Sequence, residues 1–206
     1  MKKIVILLSV LIIAILGICA VSETGKSKNN FKTGDIIFII SSSGQGKAIQ
    51  LATKSKYTHV GMIFREGDQT YVYHAVEPVM KSTLDDFISF SEDGKYVVKR
   101  LKDPLVLSPG KNAKMLEMAK ALLGKHYDIY FNWKDDEWYC SEFVWKLYQR
   151  TYGIEVGKLR PLKDFDLSSQ VVKDIMAKRY GSDIPLTENM ISPGDMFNSE
   201  LLVEVK

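Results

Sequence analysis

Thr58-His59-Val60-Gly61-Met62-Ile63-Phe64-Arg65-Glu66-Gly67-Asp68-Gln69-Thr70-Tyr71-Val72-Tyr73-His74-Ala75-Val76 is the stretch on which the fold turns. Two runs rich in β-branched and aromatic residues, Thr58 to Arg65 and Thr70 to Val76, flank a turn by residue type, Glu66-Gly67-Asp68-Gln69. This reads as an antiparallel hairpin, and side chains on a strand alternate between faces. A two-residue loop at Glu66-Gly67 or Gly67-Asp68 makes paired positions sum to an odd number. His59 then stands opposite or diagonal to His74 on one face, with Cβ atoms about 5 to 8 Å apart. Glu77 has the other parity from His74, and Pro78 beside it breaks the strand. A three-residue loop would reverse this and favour Glu77 as the partner of His59.

Working outward, Asp35 to Ser41 (DIIFIIS) is a short buried strand bounded by Gly34 and three serines. Ser43 to Lys54 carries Ala48, Ile49 and Ala52 at helical spacing. Thr83 to Phe90, with Asp86 three residues after Thr83, has the pattern of a capped helix. Tyr96 to Leu101 is another strand. Ser108-Pro109 opens a helix that Gly124 closes, with an apolar stripe of Met115, Met118, Ala119 and Leu122. Tyr139 to Tyr152, stopped by Gly153, and Ser168 to Tyr180 are two more helices. Strands in the first half and longer helices in the second define an α+β fold, an antiparallel sheet packed against helices.

At the N-terminus, Met1-Lys2-Lys3 precedes an apolar run from Ile4 to about Val21, with small residues at Ala20 and Ser22. Residues 1–22 read as a secretory signal peptide cleaved after Ser22, with an uncleaved membrane anchor as the alternative. Residues 23–33 are a polar linker, and 34–206 form one domain. The expected location is outside the cytoplasm, in the periplasm or cell envelope, with association at a membrane surface possible through the leader. A formal charge of +3, part of it from the leader, argues against nucleic acid as a partner.

Of the two cysteines, Cys19 lies in the leader, so Cys140 is the single thiol of the mature chain and no internal disulfide can form. It stands where an aromatic loop enters a helix, in Trp138-Tyr139-Cys140-Ser141-Glu142-Phe143. A lone cysteine with histidines far away in sequence is the pattern of a cysteine nucleophile. Free amides and the positive end of the helix dipole favour a thiolate there, although Glu142 in the same turn opposes it. A histidine must therefore assist. His59 is the expected base, and His74 the residue that orients it. The Cys140 amide and the Tyr57 hydroxyl are the expected oxyanion donors.

Other readings compete. Cys140, Val144, Leu147 and Thr151 share a helix face, so Cys140 also reads as a packed small hydrophobe. Two histidines and a cysteine could hold zinc, but no C-x-x-C or H-x-x-x-H spacing is present, and no metal or cofactor is expected. His126 reads as a loop residue, and Trp133 and Trp138 as packing.

Four segments carry a family resemblance: Gly34-Asp35-Ile36-Ile37-Phe38, Ala48-Ile49-Gln50-Leu51-Ala52-Thr53, Tyr57-Thr58-His59-Val60-Gly61-Met62 and Tyr139-Cys140-Ser141-Glu142. Together with Gly124 to Asp128 and Phe165-Asp166-Leu167-Ser168, they resemble the permuted papain-like NlpC-type cysteine hydrolases of the YiiX/YaeF-like branch. The resemblance implies a papain-like core in which the histidine strand precedes the cysteine helix. It implies a nucleophile at Cys140, a base at His59 and a third polar residue at His74, where some relatives carry Glu. An exported amidase or peptidase follows, acting on peptidoglycan peptides or acyl-lipid amides. A non-catalytic module binding a lipid or wall fragment on the same fold is the alternative.

Overall fold

The computed structural model describes residues 30–41 and 43–205; the leader and linker residues 23–29 lie outside the described residues. Its elements run β1 (Ile36–Ser41), α1 (Gly46–Thr53), β2 (His59–Glu66), β3 (Gln69–His74), β4 (Met80–Thr83), α2 (Leu84–Ser89) and β5 (Ser91–Leu101). After these come α3 (Pro109–Ala121), α4 (Cys140–Tyr152), β6 (Arg160–Pro161), α5 (Gln170–Tyr180), β7 (Asn189–Met190), α6 (Pro193–Phe197) and β8 (Leu202–Glu204). Six strands form one sheet in the order β4-β3-β2-β1-β5-β8, with every adjacent pair antiparallel. The short strands β4 and β8 close its edges, where little backbone is left unpaired. β6 and β7 make a separate two-stranded ribbon.

The hairpin register places Met62 opposite Tyr73 and Glu66 opposite Gln69. The loop is therefore Gly67-Asp68, with Gly67 at φ +60° as such a tight turn requires. His59 and His74 share a face.

The two faces of the sheet bury different things, and the histidine rings meet Phe87 on the smaller side. Ile36, Phe38, Val60, Met62, Phe64 and Tyr73 enter the larger core with Phe143, Val144 and Leu147 of α4. Ile37, Ile39, Ile63, Val72 and Val98 pack on the other side against Phe87 of α2. The Thr83 hydroxyl caps α2 by accepting from the Asp86 amide at 3.1 Å.

Residues read as linker, Phe31 and Lys32, also contact the domain. Phe31 packs edge-on against Tyr96 at 6.3 Å, and the Lys32 amide donates to Asp35 at 2.8 Å. Asp35 is fully buried and accepts two bonds from the Arg100 guanidinium, at 2.6 and 2.7 Å, tying β1 to β5. The Tyr148 hydroxyl of α4 bonds the Gly34 carbonyl, fixing the helix to the same strand end.

Candidate active site

α4 starts where an aromatic approach meets a local cap. Tyr139 is extended at φ −99°, ψ 161°, and its amide donates to the Glu142 carboxylate at 3.3 Å. Glu142 is buried and pairs with Lys146 Nζ at 2.6 Å; Lys146 also reaches the Lys134 carbonyl at 2.9 Å and Asp135 at 3.0 Å. That network holds the loop before the helix. Trp133 and Trp138 pack around it, with the Lys146 ammonium 4.6 and 5.0 Å from their ring centres. Both tryptophans are structural here.

This anchoring sets Cys140 against the sheet, only 4% exposed. Burial pushes its thiol up to about 11, while the amides of Val60 and Ser141 pull back toward the anion. Burial wins. The expectation of a standing thiolate at the helix start is therefore corrected: the first-turn amides are present, but the sulfur has lost too much water. The Val60 amide belongs to the peptide that joins His59 to Val60, so the sulfur lies against the backbone that carries the imidazole.

His59 Nε2 lies 2.9 Å from His74 Nδ1, and His74 Nε2 lies 2.9 Å from Ser82 Oγ on β4. All three are buried. The His59 ring stacks on Phe87 at 5.5 Å and the His74 ring meets Phe87 edge-on at 4.9 Å. Burial lowers His59 to about 4; burial first, then the neighbouring His59, lowers His74 to about 2. Both rings are neutral near pH 7. If His59 Nε2–H donates to His74, and His74 Nε2–H donates to Ser82, His59 Nδ1 is left with a lone pair. The reverse proton order would put a hydrogen on that atom instead.

Ser82 was not singled out in the sequence, because β4 is four residues long and carries no pattern of its own. Its neighbours on the sheet explain its position: it pairs with Val72, one step from His74 on the same face. Gly61 makes the approach possible. A Cβ there would stand 2.5 Å from Val72 Cγ1, 3.0 Å from Phe87 and 3.2 Å from the His74 Cβ.

Tyr57 is placed differently from expectation, and Glu77, the alternative partner of His59, is engaged elsewhere. Tyr57 lies before β2, not on it, so strand alternation does not put it beside His59. Its ring packs on Phe38 at 5.8 Å and on Phe197 at 4.1 Å, in the larger core that also holds Cys140. Glu77 accepts from the Tyr127 amide at 2.8 Å and contacts His126 Nδ1 at 2.9 Å, so its carboxylate braces the loop and not the His59 ring. His126 is exposed and ends there.

Tyr127 is the polar group that the sequence hid. Gln45 Nε2 donates to its hydroxyl at 3.2 Å, leaving the phenol hydrogen for another acceptor. Burial raises its pKa beyond the usual range, and negative charge at Cys140 raises it further, so phenol and sulfur are electrostatic neighbours.

Both open onto one cleft of about 770 Å³, continuous with solvent. Its walls are apolar: Ala52 of α1, Leu162, Phe165 and Leu167 of the following loop, and Ile175 and Met176 of α5. Cys140 and Ser141 form part of its lining.

A thiol at a helix start, packed on an antiparallel sheet whose strands carry a histidine pair, is the arrangement of a papain-like cysteine hydrolase in which the cysteine helix follows the histidine strands. Residues 30–205 match the family of permuted papain-like amidase enzymes, YaeF/YiiX, C92 family, and the chain belongs to it. The uncharacterized protein YiiX of Escherichia coli strain K12 is 47% identical over 174 residues, which is 84% of this chain and 85% of the relative. A crystal structure described as that of the metalloprotein YiiX from Escherichia coli O157:H7 aligns with a TM-score of 0.80 at 47% identity. That alignment covers 85% of this chain and 96% of the other. The protein is thus a cysteine hydrolase of the permuted papain-like kind, with the α+β fold read from its sequence.

Proposed function

We propose that the protein is an amidase for acyl-lipid amides, with Cys140 as nucleophile, His59 as base and His74 as the residue that orients His59. The observation that carries this is the position of Cys140, against the His59–Val60 peptide and in the lining of an apolar cleft. Because the resting pair is neutral, the thiol proton moves to His59 Nδ1 as the sulfur attacks the carbonyl carbon. The Cys140 amide and the Tyr127 hydroxyl are the donors nearest the developing oxyanion. The carbon–nitrogen bond then breaks, the amine leaves with the proton from His59, and a thioester remains. Water, deprotonated by His59, attacks the thioester; the acid departs and the thiol recovers its proton. Ser82 keeps His74 an acceptor, which holds the required tautomer of His59. Wall peptides are the second substrate class, but their charged stems suit these apolar walls less well than an acyl chain. The leader-like residues 1–22 support action outside the cytoplasm.

The metal named for the relative finds a poor donor set here. The two histidine nitrogens that face each other are spent on their mutual bond. Among the described residues no three of His, Cys, Asp and Glu converge to hold an ion. No step is routed through one.

The test is a set of alanine variants incubated with an acyl amide and read by mass spectrometry of the trapped thioester and by turnover. Cys140→Ala forms no thioester and keeps the fold. His59→Ala loses more than 100-fold in kcat, in the range expected of a lost general base. His74→Ala loses less. Undiminished turnover in Cys140→Ala disposes of the mechanism, and equal retention in the two histidine variants rejects the order of roles.

A further inference from the structure

Arg179 is the charged residue in the lining of the cleft. It sits in the last turn of α5, where its guanidinium donates to Gln45 Oε1 and lies 4.8 Å from the Phe131 ring centre. Both contacts are to uncharged groups. Among the described residues no carboxylate forms an ion pair with Arg179. A guanidinium facing an apolar cleft with only neutral partners is an electrostatic vacancy for an anion, and its planar fork suits a carboxylate or phosphate.

Position says which part of a substrate that anion belongs to. Gln45 links Arg179 to the Tyr127 hydroxyl, which neighbours the Cys140 sulfur. The cation therefore stands at the thiol end of the cleft. Along α5 the lining continues away from it through Met176 and Ile175 to Val172, at helical spacing. Val172 and Arg179 are seven residues apart, so at 1.5 Å rise the far end of the stripe lies about 10 Å from the cation. An acyl chain following that stripe leaves the amine half of the molecule beside Arg179.

We propose that Arg179 and Gln45 form an anion subsite beside the thiol, and that the substrate is a medium-chain acyl amide whose amine half carries an oxyanion close to the scissile bond. This rests on the amidase reading above. A carboxylate and a phosphate ester share the chemistry, and the experiment separates them.

Three amides with the same chain are compared: N-decanoylglycine (carboxylate), N-decanoyl-phosphoethanolamine (phosphate) and N-decanoylglycinamide (neutral). The wild-type protein is expected to favour at least one anion over the neutral amide in kcat/KM by roughly tenfold or more, the worth of one charge-assisted hydrogen bond. Which anion wins identifies the group. In Arg179→Met the ratio falls to near one, and in Arg179→Lys it is partly kept, which shows that folding is not the cause. A wild-type protein without the preference, or an Arg179→Met variant that retains it, overturns the subsite. The same three compounds titrated calorimetrically into Cys140→Ala report the preference without turnover. Anion-selective binding there, with no hydrolysis by the wild type, strikes the amidase reading and leaves the subsite standing. Binding of none of the three, or equal binding of all, removes the subsite.

Discussion

At the scale of single residues, the chemistry depends on who holds a proton. Cys140 is pushed up to about 11 and His59 down to about 4, both by loss of water. A depressed histidine is a working base at all pH values above its own pKa, so kcat/KM is expected to hold from neutral pH downward and to fall only as pH approaches about 4. Alkylation of Cys140 by iodoacetamide should be slow at pH 7 and climb through pH 9 and beyond. A labelling rate that is already level below pH 8 would show a standing thiolate and reverse this assignment. The histidine pair was legible, because a two-residue loop fixes parity. The protonation states were not, because helix position and burial push a thiol in opposite directions and only packing says which is larger. Tyr57 was placed on β2 by alternation, which applies only inside a strand, and β2 starts two residues later.

At the scale of elements, the hairpin and α2 form a clamp around the two rings. Gly61 lets β2 lie close beneath Val72, Phe87 and His74, and any side chain there collides with all three. Gly61→Ala is expected to destabilise by about 1–3 kcal/mol, as overpacking of a filled core does. It should also lower kcat by disturbing the His59–His74 bond. Urea denaturation and turnover measured together check this; a variant with unchanged stability and rate would mean that Phe87 and Val72 yield freely. The helix α4 was legible almost to the residue, through its start at Cys140 and its stop at Gly153. Strand β4, which brings Ser82, was not, since four residues with one small polar side chain carry no periodic signal.

At the scale of the whole molecule, the sheet is locked at a point remote from the chemistry. Asp35 belongs to the Gly34-Asp35 segment on which the family resemblance rests, yet its carboxylate is consumed by Arg100, Lys32 and the joint between β1 and β5. Asp35→Ala removes the carboxylate that neutralises a mostly buried guanidinium, and a loss of about 3–5 kcal/mol is expected. The pH profile of Cys140 alkylation in the folded fraction should not move. Denaturant melts and the labelling profile give the two readouts, and a shifted profile would assign Asp35 to the site itself. The apolar cleft also belongs to this scale, since its walls come from α1, the loop at 162–167 and α5.

By itself the sequence determined what local periodicity and turn chemistry can determine: an antiparallel hairpin with two histidines on one face, a helix opening on a cysteine, and an α+β arrangement of strands followed by helices. Those features rest on interactions within a few residues of each other. The neutral state of the thiol, the serine behind the second histidine and the uncompensated arginine in the cleft were decided by tertiary structure. Each depends on water excluded, or a partner supplied, by segments tens of residues away, and no local pattern records that.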